Sequence, residues 1–160
     1  MFKFAKYPKM EPNSTPMRLT FLGTGTSQGV PVIGCDCAVC CSVDERDRRL
    51  RTSAMVEVGN RRFVIDAGPD FRQQLLREGV SHLTAILLTH KHKDHIGGLD
   101  DVRALNFVDY PDAVHTVHLY GSKDTCDCVR KDYDYAFSTN PYRGVPQIEL
   151  HEFGSERFSV

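Results

Sequence analysis

The chain has 160 residues, of which 41% are hydrophobic, and a formal net charge of −1. This length suits a single domain with a real apolar core, and the near-neutral charge argues against a protein held on a polyanion by bulk charge. No apolar run approaches the roughly 18 residues that a membrane span needs, and the N-terminus lacks the apolar core of a secretory signal. We therefore expect a cytoplasmic protein with no membrane partner.

The order of the predicted elements indicates one domain. Residues 1–16 are proline-rich and aperiodic and are predicted to form a tail, and residues 17–160 are predicted to form the domain. In chain order, strands are predicted over residues 17–22, 54–58, 62–65, 84–89, 118–120, 147–153 and 157–160. Helices are predicted over residues 69–79, 99–107 and 122–135. Strands followed by strand–helix alternation are typical of mixed α/β layering.

Turn and cap residues support several of these elements. Gly59-Asn60 is a two-residue turn that tolerates positive φ, so the strands on either side of it are predicted to form a hairpin. Pro69 opens the first helix and Gly79 closes it, because a left-handed conformation costs least at glycine. Phe71, Leu75 and Leu76 are expected to form the buried face of this helix. The last two strands are predicted to form a second hairpin.

A histidine-rich run directly follows the apolar strand at residues 84–89. It contains His90, His92, Asp94 and His95 in the pattern His-x-His-x-Asp-His. Zinc and similar divalent ions favour imidazole nitrogen, and a carboxylate adds a hard oxygen ligand. Four donors are more than one ion needs from so short a segment, so the run predicts a site for two metals, an arrangement that suits hydrolysis.

A second candidate metal site is the cysteine loop, which contains Cys35, Cys37 and Cys40. Three thiolates on a short loop select zinc, and a closed zinc site of this kind is structural. The absence of an export signal favours metal thiolates over disulfides. A fourth ligand is needed, and Cys41 is a poor one because adjacent residues rarely point to one centre.

These motifs carry a family resemblance. His90, His92, Asp94 and His95 resemble the metal-binding signature of the metallo-β-lactamase-fold hydrolases, and Asp66 resembles the aspartate that supports the histidine loop there without usually binding metal. The glycine-rich segment at residues 21–31, followed by the cysteine loop, is similar to the cyclic phosphodiesterases of phosphonate metabolism. The implied fold class is an α/β (α+β sandwich), αββα architecture, of which the chain would contain the N-terminal half and the start of the second half.

The resemblance also implies a function. It implies a metal-dependent hydrolase with metal-activated water, two divalent ions (Zn or Mn, with Fe as a third candidate), and one structural Zn at the cysteine loop. Asp94 and His95 are the predicted catalytic residues, with Asp94 both binding metal and orienting water. A small phosphodiester, such as a cyclic phosphate or a nucleotide derivative, is the expected substrate. The alternatives are a tRNA 3′-end endonuclease, a pyrroloquinoline-quinone biosynthesis protein, or a non-catalytic metal-binding module; nucleic acid is not favoured, because no basic arm is evident.

The chain departs from the family pattern at its C-terminal end. Family members have a further histidine, a bridging aspartate and a final histidine, which would be expected beyond Val160. His151 is the only histidine downstream of His118, and its strand-like, charged surroundings argue against a ligand. We therefore expect a domain that is incomplete at the C-terminus, self-association or a missing C-terminal half, and weak hydrolysis by these 160 residues alone.

Overall fold

The protein is described by a computed structural model that covers residues 15–139 and 142–160. Most of the predicted tail therefore lies outside the described residues. Six strands form one sheet in the order β1-β2-β3-β4-β5-β6. They are β1 (Met17–Gly23), β2 (Ser53–Val58), β3 (Arg61–Ile65), β4 (Ala85–Leu87), β5 (Val117–Gly121) and β6 (Ile148–Glu152). The helices are α1 (Phe71–Glu78), α2 (Lys93–Ile96), α3 (Val102–Asn106) and α4 (Lys123–Asp132).

The sheet is antiparallel at one edge and parallel at the other. β1, β2 and β3 pair antiparallel, whereas β3, β4, β5 and β6 pair parallel. The predicted hairpin between β2 and β3 is confirmed, with Gly59 at a φ of 61°. Because β3, β4 and β5 run parallel, the residues that follow these strands lie together at one end of the strands. The residues that precede the strands lie together at the opposite end.

The first predicted helix is confirmed, but not all of its buried face. Gly79 adopts a φ of 63° at the C-terminal end of α1, and Val80 N donates to Leu75 O over 3.0 Å. Phe71 and Leu75 are buried, whereas Leu76 is 64% exposed. The prediction for Leu76 is therefore wrong, because the helix turns Gln74 inward instead, and Gln74 Nε2 donates to the Arg51 carbonyl over 2.8 Å.

The core lies between the sheet and the helices on one of its faces. Val64, Ile86 and Leu119, from three neighbouring strands, are fully buried there. The residues that pack against them from the helical layer include Phe71, Leu99, Val102 and Val129. The predicted helix over residues 99–107 is divided into a 3-10 turn at Leu99–Asp101 and the short helix α3. No helix in the described part of the chain is long and apolar enough to cross a membrane.

The predicted hairpin at the C-terminal end is wrong. β6 pairs parallel with β5, and residues 157–160 are not in a strand. The segment instead brings Phe158 against the sheet, where its ring stacks on Phe153 and Tyr120 at centroid distances of 4.7 and 5.8 Å. Arg61 Nη1 donates to the Val160 carbonyl over 2.9 Å. Aromatic contact with the open face thus takes the place of a second pairing with β6.

The face of the sheet opposite the helices carries exposed apolar side chains. Met17, Leu19 and Phe21 alternate along β1 and are 70%, 52% and 67% exposed. The architecture is one sheet with one helical layer, as predicted for one αβ half of a sandwich.

Candidate metal centre

The histidine run lies at the C-terminal end of β4, where the chain turns into α2. His92 precedes α2, and its carbonyl accepts from the backbone amides of His95 and Ile96 over 2.9 and 3.1 Å. The loop after β3 lies alongside, because Ala67 N donates to His95 O over 2.8 Å and Gly98 N donates to Ala67 O over 2.9 Å. The backbone therefore holds the run against the end of the neighbouring strand.

Asp66 is the buried support of this loop. Its side chain is at the end of β3, 3% exposed, with a left-handed φ of 64°. Oδ1 accepts from the Thr89 amide over 2.8 Å, and Oδ2 accepts from the Thr89 hydroxyl over 2.8 Å. His95 Nδ1 lies 2.7 Å from Oδ2. In this arrangement Nδ1 faces Asp66, and Nε2, which lies beside Asp94, is the ring nitrogen available to a metal.

The four donors of the run form two pairs. His90 Nε2 lies 3.1 Å from His92 Nδ1, and His95 Nε2 lies 3.2 Å from Asp94 Oδ2. The rings of His90 and His95 are adjacent, with centroids 4.0 Å apart. In the described chain the run does not bring three donor atoms within 4.8 Å of one another. The donor atoms of the run are therefore grouped as His90 with His92 and as Asp94 with His95.

Thr89 is a residue to which the sequence pattern gave no role. Besides its bonds to Asp66, its hydroxyl lies 3.0 Å from His90 Nδ1. The same hydroxyl lies 3.4 Å from His95 Nδ1, so it contacts the supporting carboxylate and one histidine of each pair. The only sequence signal is its position directly before the run.

Two glycines allow the loops to approach this closely. A Cβ at Gly68 would lie 2.0 Å from the Asp94 carbonyl oxygen, and one at Gly98 would lie 2.1 Å from the Gly68 carbonyl oxygen. Any side chain at either position would separate Asp66 from the run. These glycines are therefore part of the site, although they offer no ligand.

Helix α4 anchors the outer side of the run. Lys91 Nζ lies 3.0 Å from Asp124, and Lys93 forms an ion pair with Asp132. The hydrogen bond that Lys91 donates to Asp124 raises the pKa of Lys91. Both lysines are thus engaged by the helix at the surface, in keeping with an anchoring role.

The three sulfur atoms of the cysteine loop form a compact cluster. Those of Cys35, Cys37 and Cys40 lie within 4.8 Å of one another, and all three cysteines are free. The backbone amide of Cys40 donates to Cys37 Sγ over 3.5 Å, and this bond, followed by one from Cys35, lowers the pKa of Cys37 to about 7. The donor set suits zinc, and the described residues place no fourth His, Cys, Asp or Glu donor in the cluster. Cys126, by contrast, is buried in the core.

His151 lies away from the run, on the open face of the sheet. Its Nε2 lies 2.9 Å from His118 Nδ1, and Glu149 is beside both rings. The structure therefore does not bring His151 to the histidine run.

The fold and the position of the histidine run indicate the class of protein to which the chain belongs. A crystal structure described as a new diphosphatase from the PhnP family has a TM-score of 0.79 and 45% sequence identity, over 90% of this chain and 53% of that one. The fold is the metallo-β-lactamase fold. Residues 61–160 match the beta-lactamase superfamily domain, and the chain belongs to this superfamily. The predicted superfamily and fold are confirmed.

The chain matches only part of the length of its curated relatives. An octanoyltransferase of Porphyromonas gingivalis is 44% identical over 137 residues, which are 85% of this chain and 27% of that protein. Coenzyme PQQ synthesis protein B of Methylobacterium nodulans is 37% identical over 101 residues, which are 54% of this chain and 34% of that protein. The chain thus spans about half of the similar solved chain and about a quarter to a third of these relatives.

Proposed function

We propose that this chain is the metal-binding part of a hydrolase that uses metal-activated water on a phosphodiester. The observation that carries the proposal is the division of the run into two donor pairs above a buried carboxylate. His90 and His92 would hold one divalent ion, and Asp94 and His95 the other. Zn and Mn suit these ligands, with Fe as a third candidate.

In this proposal Asp66 supports a metal ligand, and Asp94 takes part in the reaction. Asp66 keeps the proton of His95 on Nδ1, so Nε2 is presented as a ligand. Asp94, the carboxylate nearest to His95 Nε2, would orient the attacking water. A divalent ion bound there supplies Lewis acidity, which brings the pKa of a coordinated water to about 7 in favourable sites.

A phosphorus centre is the proposed point of attack. The relative described as a diphosphatase covers 90% of this chain at 45% identity, whereas the PQQ synthesis protein covers 54% at 37%. This supports cleavage of a phosphodiester or diphosphate linkage in a small molecule, such as a cyclic phosphate or a nucleotide derivative. Octanoyl transfer is not proposed, because the matched segment is only 27% of the protein with that name.

The test combines metal content with a substrate panel. The purified chain, loaded with Zn²⁺ or Mn²⁺, would be assayed on a phosphodiester, a nucleoside diphosphate derivative, a phosphomonoester and a thioester. We expect metal-dependent hydrolysis of the first two, slow in the chain alone, and loss of one ion and of all hydrolysis in Asp94→Asn. Asp127→Asn, an exposed aspartate on α4, is the matched control and should behave as wild type.

Three outcomes would overturn the proposal. Thioester hydrolysis faster than phosphodiester hydrolysis would contradict the substrate class. Two bound ions with no hydrolysis of any substrate would favour the non-catalytic metal-binding module. Cleavage confined to tRNA precursors would favour the endonuclease alternative.

A further inference from the structure

A further group of side chains that could bind a metal lies at the opposite end of the parallel strands from the histidine run. His82 precedes β4 and His115 precedes β5, while Asp109 lies in the loop between α3 and β5. The run follows β4, and β4 and β5 are parallel, so the two groups lie at opposite ends of the same strands. We infer that His82, Asp109 and His115 form a separate site for a divalent ion of the zinc class.

The three donors already converge on one point. Asp109 Oδ2 lies 3.0 Å from His82 Nε2 and 2.7 Å from His115 Nε2. All three donor atoms lie within 4.8 Å of one another. Ligands about 2.1 Å from a tetrahedral zinc are separated by about 3.4 Å. The separations of Asp109 Oδ2 from His82 Nε2 and from His115 Nε2, 3.0 and 2.7 Å, would therefore widen by about 0.4 and 0.7 Å on binding an ion. Two imidazoles and one carboxylate are a ligand set that zinc uses.

The backbone around the donors is held in place without a metal. The carbonyl of Asp109 accepts from the amides of Asp112 and Ala113 over 2.9 and 3.0 Å. The fully buried Asn106 donates to the His115 carbonyl over 2.7 Å and accepts from Gln147 N over 2.9 Å. The positions of Asp109 and His115 are therefore set by the fold.

The outer ring nitrogen of one histidine also has a partner. Ser81 Oγ lies 3.0 Å from His82 Nδ1. A metal-binding histidine usually gives its second ring proton to an oxygen, which fixes the tautomer that binds metal. This contact is the arrangement expected if His82 binds through Nε2.

The consequence of binding would be structural. The ion would join the loop before β4 to the loop before β5, and these two strands carry the core residues Ile86 and Leu119. The donors are partly exposed, at 52%, 46% and 42% for His82, Asp109 and His115, so water can complete the coordination. In the absence of metal, each histidine would instead donate a hydrogen bond from Nε2 to the Asp109 carboxylate.

Protection of individual histidines from chemical modification by added zinc distinguishes the metal-bound site from the metal-free one. The 160-residue chain would be treated with diethylpyrocarbonate with and without ZnCl₂, and modified histidines would be located by mass spectrometry. At zinc about ten times above the dissociation constant, we expect about tenfold slower modification of His82 and His115. Asp109→Asn should abolish this protection and lower the zinc content by one ion per chain, whereas the neighbouring Asp112→Asn should not.

Further variants separate this site from the proposed catalytic centre. His90→Gln should leave the protection of His82 and His115 intact, so the two proposals can fail independently. If Asp109→Asn unfolds, as judged by circular dichroism, His82→Gln replaces it, with protection of His115 as the readout. Equal modification rates with and without zinc in the wild-type chain would overturn the inference.

Discussion

Nδ1 of His95 lies 2.7 Å from Oδ2 of Asp66, although 29 positions separate the two residues in the sequence. The contact joins the end of β3 to the loop after β4 and decides which nitrogen of His95 can bind a metal. Within residues 15–139 and 142–160, the side chains that contact the buried carboxylate through hydrogen bonds are those of Thr89 and His95. We therefore expect the proposed metal site to depend on Asp66 as well as on the ligands.

Asp66→Asn should lower metal affinity about tenfold to a hundredfold while the protein stays folded. Asparagine tolerates the left-handed φ of 64°, so the backbone is not strained. Its amide is a weaker acceptor for His95 Nδ1–H than a carboxylate. Titration with a competing chelator measures the affinity, and thermal unfolding followed by circular dichroism checks the fold. Unchanged affinity would remove Asp66 from the site.

Thr89→Val should lower metal affinity about tenfold, because it removes the hydroxyl that contacts Asp66 and His90 and keeps the shape of the side chain. Thr89→Ser keeps the hydroxyl and is the matched control. The chelator titration measures both variants. Equal loss in the two would show that packing of the methyl group matters rather than the hydrogen bonds.

The fold could be predicted largely from local signals, whereas part of the site could not. The Gly59-Asn60 turn and the Gly79 helix end are local, and both are confirmed. The inward turn of Gln74 could not be predicted, because it depends on a carbonyl acceptor at Arg51, 23 positions away.

The same limit applies to the site. The histidine run is contiguous and therefore visible in the sequence, but its division into two pairs depends on how the backbone turns at His92. The His82–Asp109–His115 group is invisible, because its members are brought together only by the two loops before β4 and β5. The loops after β3 and β4 approach each other so closely that glycine is needed at positions 68 and 98. This requirement also could not be predicted, because only the fold brings the two loops together.

Alkylation of Cys37 in the metal-free chain should be half-maximal near pH 7, because hydrogen bonds lower its pKa to about 7. The thiolate reacts, so the rate should fall as the pH decreases below this value and reach a plateau above it. Cys126 is the internal control, since burial raises its pKa and limits access. Iodoacetamide labelling followed by mass spectrometry gives both rates. A half-maximum near pH 9 would contradict the geometry of the loop.

Cys37→Ser should remove about one zinc per chain and lower the melting temperature, with little change in hydrolysis per folded molecule. The three sulfur atoms lie within 4.8 Å of one another, so loss of one breaks the set. Cys41→Ser, on the same loop but outside the cluster, is the control. A disulfide formed by Cys35, Cys37 or Cys40 in protein freshly purified under reducing conditions would contradict the predicted structural zinc.

Phe21→Ser should weaken self-association of the 160-residue chain. Phe21 is 67% exposed beside Leu19 and Met17 on the face of the sheet opposite the helices, and a contiguous apolar face of this kind is rarely left bare. Burial of a phenylalanine side chain contributes about 1.5–3 kcal/mol, so the dissociation constant should rise about tenfold to a hundredfold. Val43→Ser, which replaces an isolated side chain that is 93% exposed, is the control. Light scattering across a concentration series measures the change, and a wild-type chain that stays monomeric at every concentration would show that this face needs no partner.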